Sequence, residues 1–497
     1  MHGFYGWALL LVGLLTSHTL RAQRSSLTGS ADLSMYGANA SQIPFWLRTN
    51  QWGVVPPNTP AISLQLGICR NYKQTDSLRK PFVDWGFGVK TVGNLSQSAL
   101  SPNSRQVLLP EAYLKVRLGR FELWGGRRQQ IIGLVDTVLS SGSYSVSGNA
   151  LPIPQIQFVL PDFFPLPFLG NVVAVKGSFT HGWFNAPYIR GVNLHQKAIF
   201  LKLGRPSSRL HLIVGLNHEV QWGGYADYLK NSPFAVDGHL TTNFGDYLKS
   251  VVLGIIPKDL GNIRYTSFDA ANRIGNHLGS IDIGLSLILP ASSWFIYHQH
   301  PYEDASGLSW RNAPDGLYGL RWLNRQAKSA GNRFWTWHRL LGEVLLTSDQ
   351  SGPYFSAPGQ AYKGADNYYN HSQYVEGWSY FGQTIGTPFL IPRSMLSSAS
   401  EPGEFYFPSN RVIAYYAAFE ASIKNQISMT GRFSYSQNFG TYSTPFRSAE
   451  NQFSGMLTAN IPLPALHNSV LSVALAADQG QLLAKSMGLR VGLRRQW

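Results

Sequence analysis

The stretch Gly488 to Trp497 reads G-L-R-V-G-L-R-R-Q-W. Leu489, Val491, Leu493 and Trp497 fall on one face of an extended chain, and Gly488, Arg490, Gly492, Arg494 and Gln496 fall on the other. Successive side chains of a strand point to opposite sides. Arg and Gly facing one way, with Leu, Val and a terminal aromatic facing the other, suit a wall with water inside and lipid outside. A transmembrane β-barrel strand is written in that way. Arg495 interrupts the apolar face, and snorkelling to headgroups near a rim would accommodate it.

The same alternation recurs. Val83, Trp85, Phe87 and Val89 oppose Asp84, Gly86, Gly88 and Lys90. Ala112, Leu114, Val116 and Leu118 oppose Glu111, Tyr113, Lys115 and Arg117. Ile281 to Leu289, Ile427 to Tyr435, Phe453 to Ile461 and Leu471 to Ala477 repeat it. A soluble sandwich also alternates, so composition has to decide. Charged residues make up 13% of the 497-residue chain, against roughly 25% in soluble domains, so much of the exterior is expected to avoid water. With 49 Gly and 28 Pro the chain favours turns over long helices.

Trp7 to Leu15 (W-A-L-L-L-V-G-L-L) is an apolar core too short to span a bilayer, which takes ~20 residues. It reads as a secretory signal peptide over residues 1–22, cleaved after Ala22. No later apolar run reaches spanning length. The expected fold is therefore an all-β, transmembrane antiparallel barrel in the outer membrane. Residues 23–60, with A-N-A-S-Q-I-P-F-W-L-R-T-N and a Pro56-Pro57 break, are expected to form a small, partly helical plug or periplasmic segment. The barrel then occupies 61–497, with its first strand near Ala61 to Arg70. Poorly periodic stretches at Asp136–Pro167, Tyr225–Asp246, Trp294–Arg333 and Tyr354–Arg411 are expected to be long extracellular loops. The first is rich in proline and is expected to fold inward.

Catalytic signatures are lacking: there is no G-x-S-x-G elbow, Walker loop or H-E-x-x-H. His218-Glu219 has no second His at zincin spacing. His298 and His300 project the same way from a strand but lack a third ligand, so no metal is expected. The single cysteine, Cys69, excludes an internal disulfide. No cofactor, catalytic residue or enzyme activity is expected. A net charge of +15 comes without any nucleic-acid-binding module. It would suit a polar lumen, basic periplasmic turns or an acidic ligand.

The densest chemistry lies in D-N-Y-Y-N-H-S-Q-Y-V-E-G-W-S-Y-F-G-Q-T-I-G-T-P-F, Asp366 to Phe389. Tyr368, Tyr369, Asn370, His371, Tyr374, Glu376 and Trp378 combine flat rings with amide, imidazole and carboxylate groups. Sugar sites need both kinds of group, one for C–H faces and one for hydroxyls. An aromatic girdle with a packed loop would use the same residues. Thinner candidates are His181 with Trp183, His218 with Trp222, and Trp335 with Trp337.

The chain resembles the capsule-assembly Wzi family of outer-membrane proteins. The resemblance rests on P-F-W-L-R-T-N-Q-W-G (Pro44–Gly53), S-G-N-A-L-P-I-P (Ser147–Pro154), N-H-E-V-Q-W-G-G (Asn217–Gly224), and N-Y-Y-N-H-S-Q-Y-V-E-G-W-S-Y with I-G-T-P-F (Asn367–Phe389). It implies about 18 strands, a small helical element closing the periplasmic end, and extracellular loops that cap the barrel. It also implies a lectin-like, non-enzymatic role in holding capsular or other surface polysaccharide. The implied partners are that polysaccharide, outer-membrane lipid and the barrel assembly machinery, with the protein a monomer. A porin or selective channel is the alternative.

Overall fold

The computed structural model describes residues 27–73, 82–96, 107–259, 263–327, 333–354, 364–397, 404–467 and 469–497. The leader expected over residues 1–22 lies outside them. The fold is a closed antiparallel β-barrel of 18 strands. They are β1 (Leu27–Ala38), β2 (Ala61–Arg70), β3 (Val83–Ser96), β4 (Val107–Leu118), β5 (Phe121–Arg127), β6 (Gln155–Pro165), β7 (Val173–Ala186), β8 (Ile189–Leu203) and β9 (Leu210–Trp222). The second half comprises β10 (Asn276–Ile288), β11 (Ser292–Tyr302), β12 (Gly316–Asn324), β13 (Trp335–Leu346), β14 (Val412–Ile423), β15 (Ile427–Gly440), β16 (Pro445–Leu463), β17 (Ser469–Gly480) and β18 (Ser486–Gln496). Neighbours in sequence are neighbours in the wall. The seam closes by pairing β1 with β18, in a register running from Ser30↔Gln496 to Ala38↔Gly488.

Leu27 and Trp497 lie at one rim, where most connections are short, such as 119–120, 289–291 and 424–426. The opposite rim carries the long connections 39–60, 128–154, 223–275, 303–315 and 347–411. In β18, Leu489 and Val491 face outward while Arg490 turns into the lumen, where it donates to Ser34 Oγ (2.9 Å) and Ser472 Oγ (3.2 Å). Trp497 exchanges backbone hydrogen bonds with Gly29. Its indole lies over Gly29, where any added Cβ would overlap the ring. Arg495 is only 8% exposed, so it packs against the chain and does not reach out to headgroups. Trp85, Trp294 and Trp337 are exposed on the outer face of the half nearest the short-connection rim, as an interfacial aromatic girdle requires.

Three of the expectations need correction. Residues 27–38 are not a plug: they form β1, with Thr28, Ser30, Asp32, Ser34 and Tyr36 on the face opposite Leu27, Leu33 and Met35. Only 39–60 leaves the wall, and it enters from the long-connection rim. Its helical turn, Phe45–Arg48, is wholly buried. Phe45 N donates to Asp478 (2.8 Å) and Trp46 Nε1 donates to Ser434 Oγ (3.1 Å). The turn therefore fills the lumen and does not close the short-connection rim. Second, Pro161 and Pro165 lie within β6, where the register shifts between Leu160 and Phe164. A bulge tolerates residues that cannot donate to the ladder. Third, Trp294–Arg333 contains most of β11 and all of β12. Their outward His298 and His300 stack on Tyr318 (4.1 Å) and Trp310 (4.0 Å), which disguises the alternation.

The proline-rich connection does fold inward. Its run S-S-G-S-Y-S-V-S-G (Ser140–Gly148) threads the lumen, and small hydroxyl side chains fit there while bonding the wall. Ser140 Oγ and Ser141 N both donate to Glu343 (2.7 Å each). Leu134 N donates to Asp282 (2.6 Å), and Ser145 Oγ donates to Asn217 (2.9 Å). Asp136 accepts from Arg339 Nη1 at 2.7 and 2.8 Å and lies 3.8 Å from Arg321. Asp136→Ala would take from two mostly buried guanidinium groups the carboxylate they share, leaving Arg339 only Glu420 at 3.7 Å. It is expected to cost about 3–5 kcal/mol in urea unfolding followed by tryptophan fluorescence. A loss under about 1 kcal/mol would show that lumen water serves Arg339 as well as the carboxylate does.

Candidate functional site

At the long-connection rim, Tyr368, Tyr369, Tyr374 and Trp378 are fully buried, and Asn370 is 8% exposed. Their polar atoms are spent within the chain. Tyr368 OH donates to Asp315 (3.0 Å), Tyr374 OH to Gly223 O (3.2 Å), and Trp378 Nε1 to Ser145 O (2.6 Å). Tyr369 OH bonds Tyr144 O and accepts from Thr387 N. Asn370 and Phe407 exchange two hydrogen bonds of 3.0 Å each. The motif ties the 128–154, 223–275, 303–315 and 347–411 connections into one core. Gly377, at φ +54°, is the residue that lets the chain turn against the Tyr369 carbonyl, which an added Cβ would overlap. His371 and Glu376 keep open surface.

His371 borders a cleft of about 300 Å³, together with Phe268, Asn272, Arg273, Asp304 and Ser306. These residues come from three separate connections. The His371 ring meets Phe268 edge to face at 6.2 Å. Gln373 N donates to His371 Nδ1 (3.2 Å), which leaves the proton on Nε2. Burial pulls the pKa of this imidazole down to about 4, so it is neutral at physiological pH. Asn272 is held by its Nδ2–H donating to Phe268 O (2.8 Å), and Arg273 by its Nε–H donating to Gly254 O (3.0 Å).

The acidic side of the cleft is layered. Asp304 accepts from Ser306 N (2.7 Å) and from Ser306 Oγ (2.6 Å). Behind it, Asp366 accepts from Ser351 Oγ (2.8 Å) and lies 3.0 Å from Ser306 Oγ. Burial, then the nearby Asp304 charge, push the Asp366 carboxyl up to about 7. Glu303, also on the cleft wall, is pushed up to about 8, mainly by burial, although it accepts from Tyr369 N (2.9 Å). The cleft thus joins an aromatic edge, a neutral imidazole N–H, a guanidinium, an amide and two carboxyl groups. Such a set can bind a polyhydroxylated ligand through donors and acceptors at once. No three His, Cys, Asp or Glu residues come together as a metal site among the described residues.

The thinner candidates fall elsewhere. His181, Trp183, His218 and Trp222 face outward from the wall near the long-connection rim. Trp183 is 42% exposed, while His218 and Trp222 are covered. Trp335 and Trp337 pair at 5.3 Å on the outer face near the short-connection rim. Sequence reasoning missed Phe268, Asn272, Arg273, Asp304 and Ser306, since nothing local links them. A cue existed only for Asp304, whose D-A-S spacing marks a helix cap.

No protein-family model matches the chain, and no curated protein matches it in sequence. Among solved structures it is similar to Wzi of Escherichia coli, described as an outer-membrane, carbohydrate-binding β-barrel involved in group 1 capsule assembly. The TM-score is 0.57 at 13% identity, over 96% of this chain and 85% of that one. It is more loosely similar to OccD3 of Pseudomonas aeruginosa (TM-score 0.43, 10% identity, 97% and 93% covered). A BenF-like porin of Pseudomonas fluorescens gives TM-score 0.46 at 9% identity, with 96% and 99% covered. At these identities the likeness establishes the outer-membrane barrel fold.

Raised carboxyl pKa values make the rim sensitive to alkali. Between the unfolded value near ~4.3 and about 8, native Glu303 keeps its proton while the unfolded chain has lost it. Stability contributed by the neutral carboxyl is therefore full at acid pH and declines as pH rises through that window. Glu303→Gln is expected to flatten this decline in urea midpoints measured from pH 5 to 9. An unchanged slope would remove Glu303 from the account.

Proposed function

We propose that this protein is a non-enzymatic, lectin-like barrel of the outer membrane. It binds exported surface polysaccharide at the His371 cleft and assists its assembly or retention outside the cell. The long-connection rim faces the exterior in this reading, as the longer loops of such barrels do. One observation carries it: the lumen is threaded by Ser140–Gly148 and fastened at Asp136, Asp282 and Glu343, while a cleft of sugar-binding chemistry opens at the rim. A solved barrel of the same fold, Wzi, is described as carbohydrate-binding, which agrees with the reading. Arg273 and the overall charge of +15 favour an acidic glycan.

The channel reading has its own support. Between the helical turn and the short-connection rim lies a cavity of about 230 Å³, bordered by Asp32, Arg432, Arg490 and Arg494. Planar-bilayer recordings separate the two. The lectin reading expects silence, and large, stable currents from the intact protein would favour a channel.

Binding of purified surface polysaccharide to the detergent-solubilised protein tests the site. Paired His371→Ala and Arg273→Ala changes are expected to weaken it about tenfold, near 1.4 kcal/mol, with the melting temperature held. Added salt should weaken binding of an acidic glycan further. Full affinity in the paired variant would overturn the site.

A further inference from the structure

The outer wall is mainly apolar, and its densest polar patch lies on one side. There, across β7 to β10, His181, His195, Lys197, His218 and His277 point outward. Their register neighbours inside the lumen, such as Gln196, Asn217 and Glu219, point the other way. This polar patch is not bare. The segment 244–256 lies over it as two consecutive helical turns, Phe244–Asp246 and Tyr247–Val252, followed by a turn through Gly254. Tyr247 stacks on Trp222 at 4.8 Å and meets His195 edge to face at 5.6 Å. Val251 and Ser250 are buried against the wall, and the Lys197 ammonium is capped by Val252 O. Beneath the cover, His218 and His277 bond each other at 3.0 Å.

What the cover shows to its surroundings is the reverse of what it hides. Phe244 is 70% exposed, Leu253 68%, Ile255 52% and Leu248 43%. A soluble loop does not keep four large apolar side chains in water on a single short segment. The wall directly below carries exposed Phe179, Ile199, Val214 and Leu216, so the apolar surface is continuous from wall to cover. His195 lies eight residues up β8 from Leu203, a height of about 20 Å for a tilted strand, near the top of an apolar band ~25 Å tall. We infer that segment 244–256 is an in-plane membrane element. It restores the apolar belt over an outward-facing polar patch and seats Phe244, Leu248, Leu253 and Ile255 in the upper acyl region of the bilayer's exposed leaflet.

The test uses the full-length protein in lipid nanodiscs, in a Cys69→Ser background. A fluorophore is attached at Leu253→Cys or Leu248→Cys, with Leu285→Cys as a wall control and Ser372→Cys as an aqueous rim control. Lipids carry a nitroxide either near the glycerol or near the acyl terminus. At both cover positions the glycerol-proximal nitroxide is expected to cut emission to less than half, and more than the terminal one does. Leu285→Cys should also be quenched, and Ser372→Cys should not. Cover positions that escape quenching while Leu285→Cys is quenched would overturn the inference. So would a probe shielded by a second copy of the chain, seen as a doubled protein mass in the disc without lipid quenching.

Discussion

Lipid offers no hydrogen-bond partner, so every strand in this wall must have a neighbour on both sides. All else follows from how the first and last strands meet that demand. β1 and β18 pair along nearly their whole length, and the bond exchange between Gly29 and Trp497 extends the ladder to the final residue. Gly29 is bare because the indole needs its space. Removing either end of the chain from the seam would expose two edges to the bilayer at once.

Closing 18 strands makes a lumen wider than side chains can fill, and the chain solves this by sending itself inside. The serine-rich run suits that space because each serine is small and carries a group that can meet a wall carboxylate or amide. Asp136, Asp282 and Glu343 are costly to bury alone. Each is surrounded by donors from the threaded segment or from neighbouring strands. The same packing brings the tyrosine-rich motif to the centre of the rim, where its hydroxyls knit four connections together. Its rings act as mortar, and the open chemistry is left to the residues around His371.

Much of the wall was legible because its outward faces carry Leu, Val, Ile and Trp in strict alternation, as in β3 and β18. β1 alternates too, but Gly29 and Ala31 stand where large apolar residues would have marked the lipid face. β11 was hidden by His298 and His300, which face outward and look polar until Trp310 and Tyr318 are seen stacked on them. The cleft was harder still. Its aromatic, basic and acidic members lie in connections separated by up to about a hundred residues, and only packing brings them together. The aromatic-rich stretch was visible as important, but sequence does not distinguish a ring that stacks on a ligand from one that stacks on its own chain.

The histidine-bearing patch beneath segment 244–256 gives the barrel an uneven waist. On most of its circumference the wall alone sets how much bilayer it matches. On the β7–β10 side that match depends on a separate piece laid over the wall. Loss of the piece would shorten the hydrophobic height on one flank only. The bilayer would then have to thin there, or the whole cylinder lean toward that flank, to keep imidazoles and an ammonium out of hydrocarbon. The angle at which the rim meets the cell exterior is thus coupled to a loop that also borders the cleft, through Ile256 and through the hydrogen bond from Arg273 to Gly254 O.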